Sequence, residues 1–443
     1  MTDTDTDTDT DTDTVQCAAG DRMRSVLRHR EVAVVAGAEP AHPIRGIQMQ
    51  RRNFLHAVGG ASVAALGAGI TGNALAQAAP AAMAPPGQKP HFLPVPPLAR
   101  VRASPERVIS VDVCTRPFRA QGPRIEAEKV GRKTIIHSYG HGGSGWSLSW
   151  GTGEQVAALA LATGEKEIGV VGCGAIGLTA ARVMQKYGLK VHIYAREFPP
   201  AVRSSFATGA WTPASRIVSA DNATPEFRAW WQKTARSSFR MYQSLLGLPG
   251  NPIAWQDVYL LSDGQAGTTH WESQGEPEYP DLQLDLIEGF HARPLELAPD
   301  QHPFAAAYVR RSVNLVFGIG AYSKMLMDDF VRAGGITELR EFGSLDDIGR
   351  LRQKVVVNAT GYGARALVGD ESIVPVRGQT CRLAPQPEVN YNLYYTSRNV
   401  SMTSRTDGLL VQSQGAHDFG NDDIRPDYAE ILRSVDALAQ AFA

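Results

Sequence analysis

Along the middle of the chain, apolar and polar positions fall into blocks of two different periods. Residues 167–171 form a short, nearly continuous apolar run, 178–187 space their apolar residues at helical intervals, and 190–194 turn apolar again. Short apolar runs bounded by turn residues read as strands buried on both faces, and the 3.6-residue spacing between them reads as a helix packed on those strands. The connection from the first strand to the helix is Gly172-Cys173-Gly174-Ala175-Ile176-Gly177. Strand, glycine turn, helix and strand in that order predict a βαβ unit whose turn lets backbone approach a pyrophosphate at a helix N-terminus.

The same reading extends outward. Residues 107–113 and 133–137 are short β-rich runs, and 150–161 have helical spacing after a second glycine stretch, Gly140-His141-Gly142-Gly143-Ser144-Gly145. Residues 225–246 are helical, with Trp230, Trp231, Phe239 and Tyr242 as core aromatics. Residues 253–262 and the tract to 316 mix strands and loops, 322–333 form a helix, and 354–357 form a strand running into Asn358-Ala359-Thr360-Gly361. Strands around 379–383 and 409–412 precede a closing helix over 427–442.

The front of the chain has no such pattern. Residues 2–14 repeat Thr-Asp without an apolar position and cannot bury enough surface to order themselves. Arg51-Arg52-Asn53-Phe54-Leu55, an apolar run to Ile70, and Ala74-Leu75-Ala76 follow as basic, apolar and small-x-small regions of a signal peptide. The paired arginines resemble a twin-arginine signal. They predict a partnership with that export machinery and a periplasmic location. The apolar run is short and glycine-rich beside the ~20 residues a span needs, so no stable membrane span is expected after cleavage.

Charge and cysteine usage narrow the classes further. Lys and Arg number 44 against 45 Asp and Glu, with no basic block after the signal, which gives nucleic-acid binding no footing. Of the four cysteines, Cys17 belongs to the leader, while Cys114, Cys173 and Cys381 lack metal-ligand spacing and are too few to pair completely. Cys173, between two turn glycines, reads as a small filler and not a reactive thiol.

The 170–178 turn, the run Ser204-Ser205-Phe206-Ala207-Thr208-Gly209-Ala210-Trp211-Thr212-Pro213, Val357-Asn358-Ala359-Thr360-Gly361 and Pro375-Val376-Arg377-Gly378-Gln379 together resemble successive motifs of the D-amino acid oxidase family. Thr115-Arg116-Pro117-Phe118-Arg119 and His137-Ser138-Tyr139-Gly140-His141-Gly142-Gly143 are similar to that family's last two motifs, which here come first. The resemblance spans nearly all of the chain after residue 97. It implies an α/β fold, a Rossmann-like, doubly wound FAD-binding domain plus a mixed-sheet α+β substrate domain. The inverted order resembles a circular permutation with new ends after the 427–442 helix and before Arg107, so residue 443 and the 98–107 segment should lie close together. The implied division is 1–48 leader, 49–76 signal, 77–97 linker, 98–224 and 321–374 FAD-binding, 225–320 and 375–443 substrate-binding.

A flavin suits this set better than a nicotinamide, because loops beyond the glycine turn are needed around its ring system. The resemblance assigns the cofactor Gly172, Gly174, Ala175, Ile176 and Gly177, then Ser204, Ser205, Thr208 and Gly209, then Gly361. It also assigns the loop Gly142, Gly143, Ser144, Gly145, Trp146 and Ser147. The ribose position departs from the pattern: Ala195 stands where a carboxylate is common. Either Glu197 takes that role or Arg196 faces a phosphate, which keeps an NADP-binding alternative open.

For chemistry, the resemblance gives Arg116 the substrate carboxylate, a task suited to a guanidinium's parallel hydrogen bonds, with Gly143 and Ser401 completing the catalytic set. The implied reaction oxidises a small D-amino acid by hydride transfer from Cα to flavin N5, with oxygen reoxidising the flavin to give hydrogen peroxide. His141 then shapes the loop and is not a base. Ser401 stands where the family carries a tyrosine, and Gln412-Ser413 replace a glycine pair, while Tyr391, Tyr394 and Tyr395 offer either a lid or packing. A dehydrogenase with another electron acceptor and a non-catalytic flavin-binding protein are the alternatives.

Overall fold

The structure is a computed structural model that describes residues 98–264, 274–290 and 292–442. The Thr-Asp leader, the twin-arginine signal and the 77–97 linker lie outside the described residues.

The strands are β1 (Val108–Arg119), β2 (Arg124–Val130), β3 (Lys133–Tyr139), β4 (Glu167–Val171), β5 (Lys190–Ala195), β6 (Ile253–Ser262), β7 (Leu295–Leu297), β8 (Tyr308–Phe317), β9 (Ile336–Leu339), β10 (Val355–Asn358), β11 (Ile373–Leu383), β12 (Tyr391–Tyr395), β13 (Val400–Arg405) and β14 (Gly408–Gln412). The helices are α1 (Gly145–Ala162), α2 (Ala175–Lys186), α3 (Pro225–Gln243), α4 (Leu282–Ile287), α5 (Ile319–Arg332), α6 (Leu345–Gly349), α7 (Ala364–Val368) and α8 (Tyr428–Ala439).

Two sheets organise these elements. The first runs β2-β3-β10-β4-β5-β9, and every pairing from β3 to β9 is parallel. Its centre is buried on both faces, as the continuous apolar runs require: every residue of β10 is buried, as are Ile168 to Val171 of β4. From β4 the chain crosses through α2 to β5 on one side, while β10 pairs on the other. The carboxyl end of β4 is therefore a switch point, where α/β sheets leave a crevice for ligands. Helices α1, α2, α3 and α5 pack into one core with the sheet, Trp231, Leu178, Leu326 and Phe330 all being at most 1% exposed.

The second sheet runs β1-β11-β14-β13-β12-β6-β8-β7 and is antiparallel except for β12 against β6. Its core includes α8 and the odd-numbered residues of β12. The two-residue strand period separates the tyrosines: Tyr391 and Tyr395 are buried in this core, and Tyr394 points to the opposite face. Packing accounts for the first two.

The structure differs from the sequence expectation at four elements. β1, expected with the nucleotide-binding half, pairs along its length with β11, Arg116 opposite Val376. Residues 108–119 therefore build the second sheet. Helix α1 begins at Gly145, not near 150, because its glycines admit a close neighbour: Gly151 lies against α3, its N–H donating to Ser238 Oγ at 2.9 Å. α2 and α5 also start three residues before the apolar periodicity becomes legible. At the chain ends, Arg100 Nη2 donates to the Phe442 carbonyl at 3.3 Å with its guanidinium over that ring, bringing the 98–107 segment to the end of the described chain.

Candidate active site

A cavity of about 640 Å³ opens at the carboxyl ends of β3, β10, β4 and β5 and reaches to β1, β11 and β13 of the second sheet. That volume lies within the range of small-molecule and cofactor sites. At one end Gly174 caps α2 without a side-chain hydrogen bond, so the first-turn amides face the cavity with the positive end of the helix dipole. Of these, the Ala175 N–H donates to Ser204 Oγ at 3.0 Å. Gly172 cannot be another residue here. Its φ is +108°, and a Cβ would overlap the carbonyl oxygen of Ala359 at the end of β10.

The β5 end contributes Ala195, Arg196 and Glu197, faced by Arg340, Glu341 and Phe342. Arg196 is mostly exposed and lies 3.4 Å from Glu341 and 3.9 Å from Glu197. Both ribose-end alternatives thus have their residue on the wall. The glycine loop before α1 forms the opposite side. The Gly142 N–H donates to Pro117 at 2.8 Å and that of Gly143 to Ser215 at 3.0 Å, and a Cβ on Gly142 would overlap the Arg216 carbonyl.

Of the expected cofactor residues, Gly142, Gly143, Gly145, Trp146, Gly172, Gly174, Ala175, Ile176, Arg196, Glu197, Ser204, Thr208 and Gly361 line this cavity, with Arg116 and Ser401. Gly177, Ser144, Ser147, Ser205 and Gly209 do not; they build the wall from behind. Gly177 packs on the Gly172 carbonyl, and the Ser144 hydroxyl lies 2.9 Å from the Ser215 carbonyl. Ser147 Oγ accepts the Thr212 N–H at 2.8 Å, Ser205 is buried, and Gly209 accepts the Phe317 N–H.

Two buried groups on the wall are chemically quiet. Burial pushes the Cys173 thiol up to about 12, leaving no thiolate near neutral pH. His141 is buried, its Nε2 3.2 Å from Thr152 Oγ1, and burial pulls its pKa down to about 3. Its imidazole therefore stays neutral. The unfolded chain takes up that proton below about 6.5 and the folded one only near 3, so stability is full above 6.5 and declines as pH falls towards 3. His141→Asn is expected to make the pH dependence shallower by up to about 1.4 kcal/mol per unit in this window, read from urea midpoints at pH 7.5 and 5.5.

Arg116 sits where the two sheets meet. The backbone of β1 carries it, its Nη1 donates to the Arg377 carbonyl at 2.7 Å, and Gly378 leaves the space its guanidinium fills. Burial is the largest influence on it and pulls its pKa below the ordinary value. Neighbouring carboxylates are committed elsewhere. Asp418 and Glu430 each lie 3.7 Å from Arg377, and Glu276 lies 2.6 Å from Arg216. Among the described residues, no carboxylate comes within ion-pair distance of Arg116. A desolvated cation on a cavity wall without a counterion is a receptor for an anion brought from outside.

Sequence reasoning missed Arg216, Thr403 and Arg340 on the cavity wall, and it left Tyr394 and Gln412, which also line it, without a site role. Arg216 carried one local signal, its place just after the 204–213 motif. The others become legible only once distant strands are set side by side.

The profile of the family described as "DAO: FAD dependent oxidoreductase" matches residues 167–443. A D-amino-acid oxidase of Rubrobacter xylanophilus is 33% identical over 219 residues, which cover 48% of this chain and 58% of that protein. One from Dictyostelium discoideum is 25% identical over 287 residues, covering 62% of this chain and 73% of that protein. The chain thus spans little more than half the length of the first relative. Glycine oxidase from Geobacillus kaustophilus superposes with a TM-score of 0.44 at 15% identity, over 63% of this chain and 79% of that one.

Proposed function

We propose, from the premise that the chain belongs to the FAD dependent oxidoreductase family, that this enzyme oxidises a small D-amino acid to its imino acid and passes the electrons to oxygen. The observation that carries the reading is Arg116, a desolvated guanidinium without a carboxylate partner among the described residues, on the wall of a cavity whose other end is a dinucleotide turn. The residues fit FAD. The amides at the start of α2 with Gly172 and Gly174 would hold its pyrophosphate, and the 142–146 loop with Gly361 would flank its ring system. When bound, FAD is the oxidant that accepts hydride from the substrate Cα.

What the chain itself supplies is placement. Arg116 fixes the plane of the α-carboxylate by two parallel hydrogen bonds, which sets where Cα stands. Gly143 carries no side chain to obstruct that approach, and Ser401 borders the same space from β13. His141 holds the loop's shape as a neutral group.

The order of segments is that of a circularly permuted chain. In support, the family match starts at Glu167, the first residue of β4, yet β1 and β3 lie before it and complete both sheets beside β11 and β10. The signal over 49–76 makes the enzyme a passenger of twin-arginine export.

An anaerobic screen of D- and L-amino acids against the purified protein tests the reaction. Bleaching of the flavin by D-isomers, with peroxide formed in air, is the expected result. A colourless protein, or a flavin that no amino acid bleaches, would refute it.

A further inference from the structure

Beyond Arg116 the cavity opens into a second chamber of about 260 Å³, and the two share Arg116, Arg216, Tyr394, Ser401 and Gln412. Anything gripped by Arg116 therefore sends its side chain past Ser401 into this chamber or stops short of it. Beside Val400 and Tyr395, the chamber's other walls carry the polar groups of Gln414, Ser413, Asn399 and Thr396. An apolar side chain would strip these groups of water and return no hydrogen bond.

Asn399 and Arg216 both line the chamber in left-handed backbone conformations, and of the two Arg216 is the one that bears a charge. Its φ is +50°, a left-handed conformation uncommon for a residue with a Cβ, and its carbonyl is set against Gly142 of the glycine loop. Such conformations persist where the surroundings over-determine them, and they cluster at ligand sites. The surroundings here are specific. Arg216 Nε donates to Glu276 Oε1 at 2.6 Å, and the same carboxylate accepts from Tyr279 Oη at 2.9 Å and Gln414 Nε2 at 2.8 Å. The Glu276 side chain is 2% exposed, so it is a fixed strut that holds Arg216 by one nitrogen. Tyr279 lies under the same guanidinium, 6.0 Å from its ring centroid, and among the described residues Glu276 is the one carboxylate paired with Arg216.

We infer that the chamber binds a second carboxylate, carried on the substrate's side chain, with Arg216 as its receptor and Gln412 as a neighbouring amide donor. This rests on the amino-acid oxidation proposed above and names the substrate class within it: a D-amino acid of the aspartate or glutamate type. Two guanidiniums on one continuous cavity, one without a carboxylate and one with the single carboxylate of Glu276 among the described residues, match a ligand with two carboxylates. Arg116 takes the α-group and Arg216 the distal one. An amide side chain of equal size would meet the same donors without the charge, so acid against amide is the discriminating comparison.

The test is anaerobic flavin reduction in the holoenzyme, with D-glutamate against D-glutamine and D-aspartate against D-asparagine. The wild-type protein is expected to favour one acid over its amide at least tenfold in reduction rate over apparent Kd. Arg216→Gln is expected to bring that ratio within threefold by losing on the acid, and Arg216→Lys to keep part of it. Flavin content reports whether each variant is intact, and the wild-type ratio decides even if a variant is not. Equal or better use of the amides, or an unchanged ratio in flavin-replete Arg216→Gln, overturns the inference. Reduction by neutral D-amino acids alone overturns it while leaving the oxidation reading standing; no reduction by any amino acid overturns both.

Discussion

Arg116→Ala is expected to lower kcat/KM for the reactive amino acid by about 10²- to 10⁴-fold, while the flavin stays bound. The magnitude follows from losing two charge-assisted hydrogen bonds, roughly 1.5–3 kcal/mol each, at about 1.4 kcal/mol per tenfold. Flavin retention follows from position: Arg116 stands on β1, whereas the amides suited to the pyrophosphate belong to α2. The same change removes a desolvated cation that lacks a carboxylate partner among the described residues. The variant should therefore melt no lower than the parent, since a charge kept for a ligand burdens the empty fold. Steady-state kinetics, flavin absorbance per protein and a thermal melt read all three, and unchanged kinetics would remove Arg116 from the site.

Gly172→Ala is the second large effect, and its loss falls on the cofactor end. The added methyl would overlap the Ala359 carbonyl, and the backbone is fixed there by the Gly172 N–H donating to Tyr194 at 2.8 Å and the Ala359 N–H to Val171 at 2.9 Å. Neither strand end can yield without breaking the parallel sheet at its switch point. With a φ of +108° added, the cost should exceed about 3 kcal/mol, and the protein should be recovered without flavin. Gly164→Ala is the control: its φ is also positive, at +75°, but its Cβ would meet nothing within 4 Å. It should cost only about 1 kcal/mol and keep its flavin. Equal behaviour of the two variants would mean that backbone strain, and not the close approach of β10, dictates glycine at 172.

These two residues also mark how far the sequence is legible. The β4-turn-α2-β5 unit is readable because its signals are local, apolar runs and glycine spacing within a few dozen residues. The arginine-bearing strand is a different case. Its partner β11 lies at the far end of the chain, so no local pattern assigns β1 to the second sheet. Ser401 is an outlier against the family motif in sequence, but in space it faces Gln412 across a β-pair and shares its wall with Ser413 and Gln414. Arg216 is meaningful only through the Glu276 strut and the glycine loop, contacts drawn from three separate stretches. Tyr394 is separable from Tyr391 and Tyr395 in principle, by the strand period, once the strand's boundaries are known.

The pairing of β1 with β11 carries a consequence for synthesis. Arg116 and the residue whose carbonyl anchors it, Arg377, are 261 positions apart. At a translation rate of about 5–20 residues per second, that strand waits on the order of 10–50 s for its partner. Throughout that interval its ladder groups are an open edge that another chain could pair with. The ribosome makes the arginine strand early and the fold installs it late, so slow elongation in the second half of the message would cost yield before it cost activity.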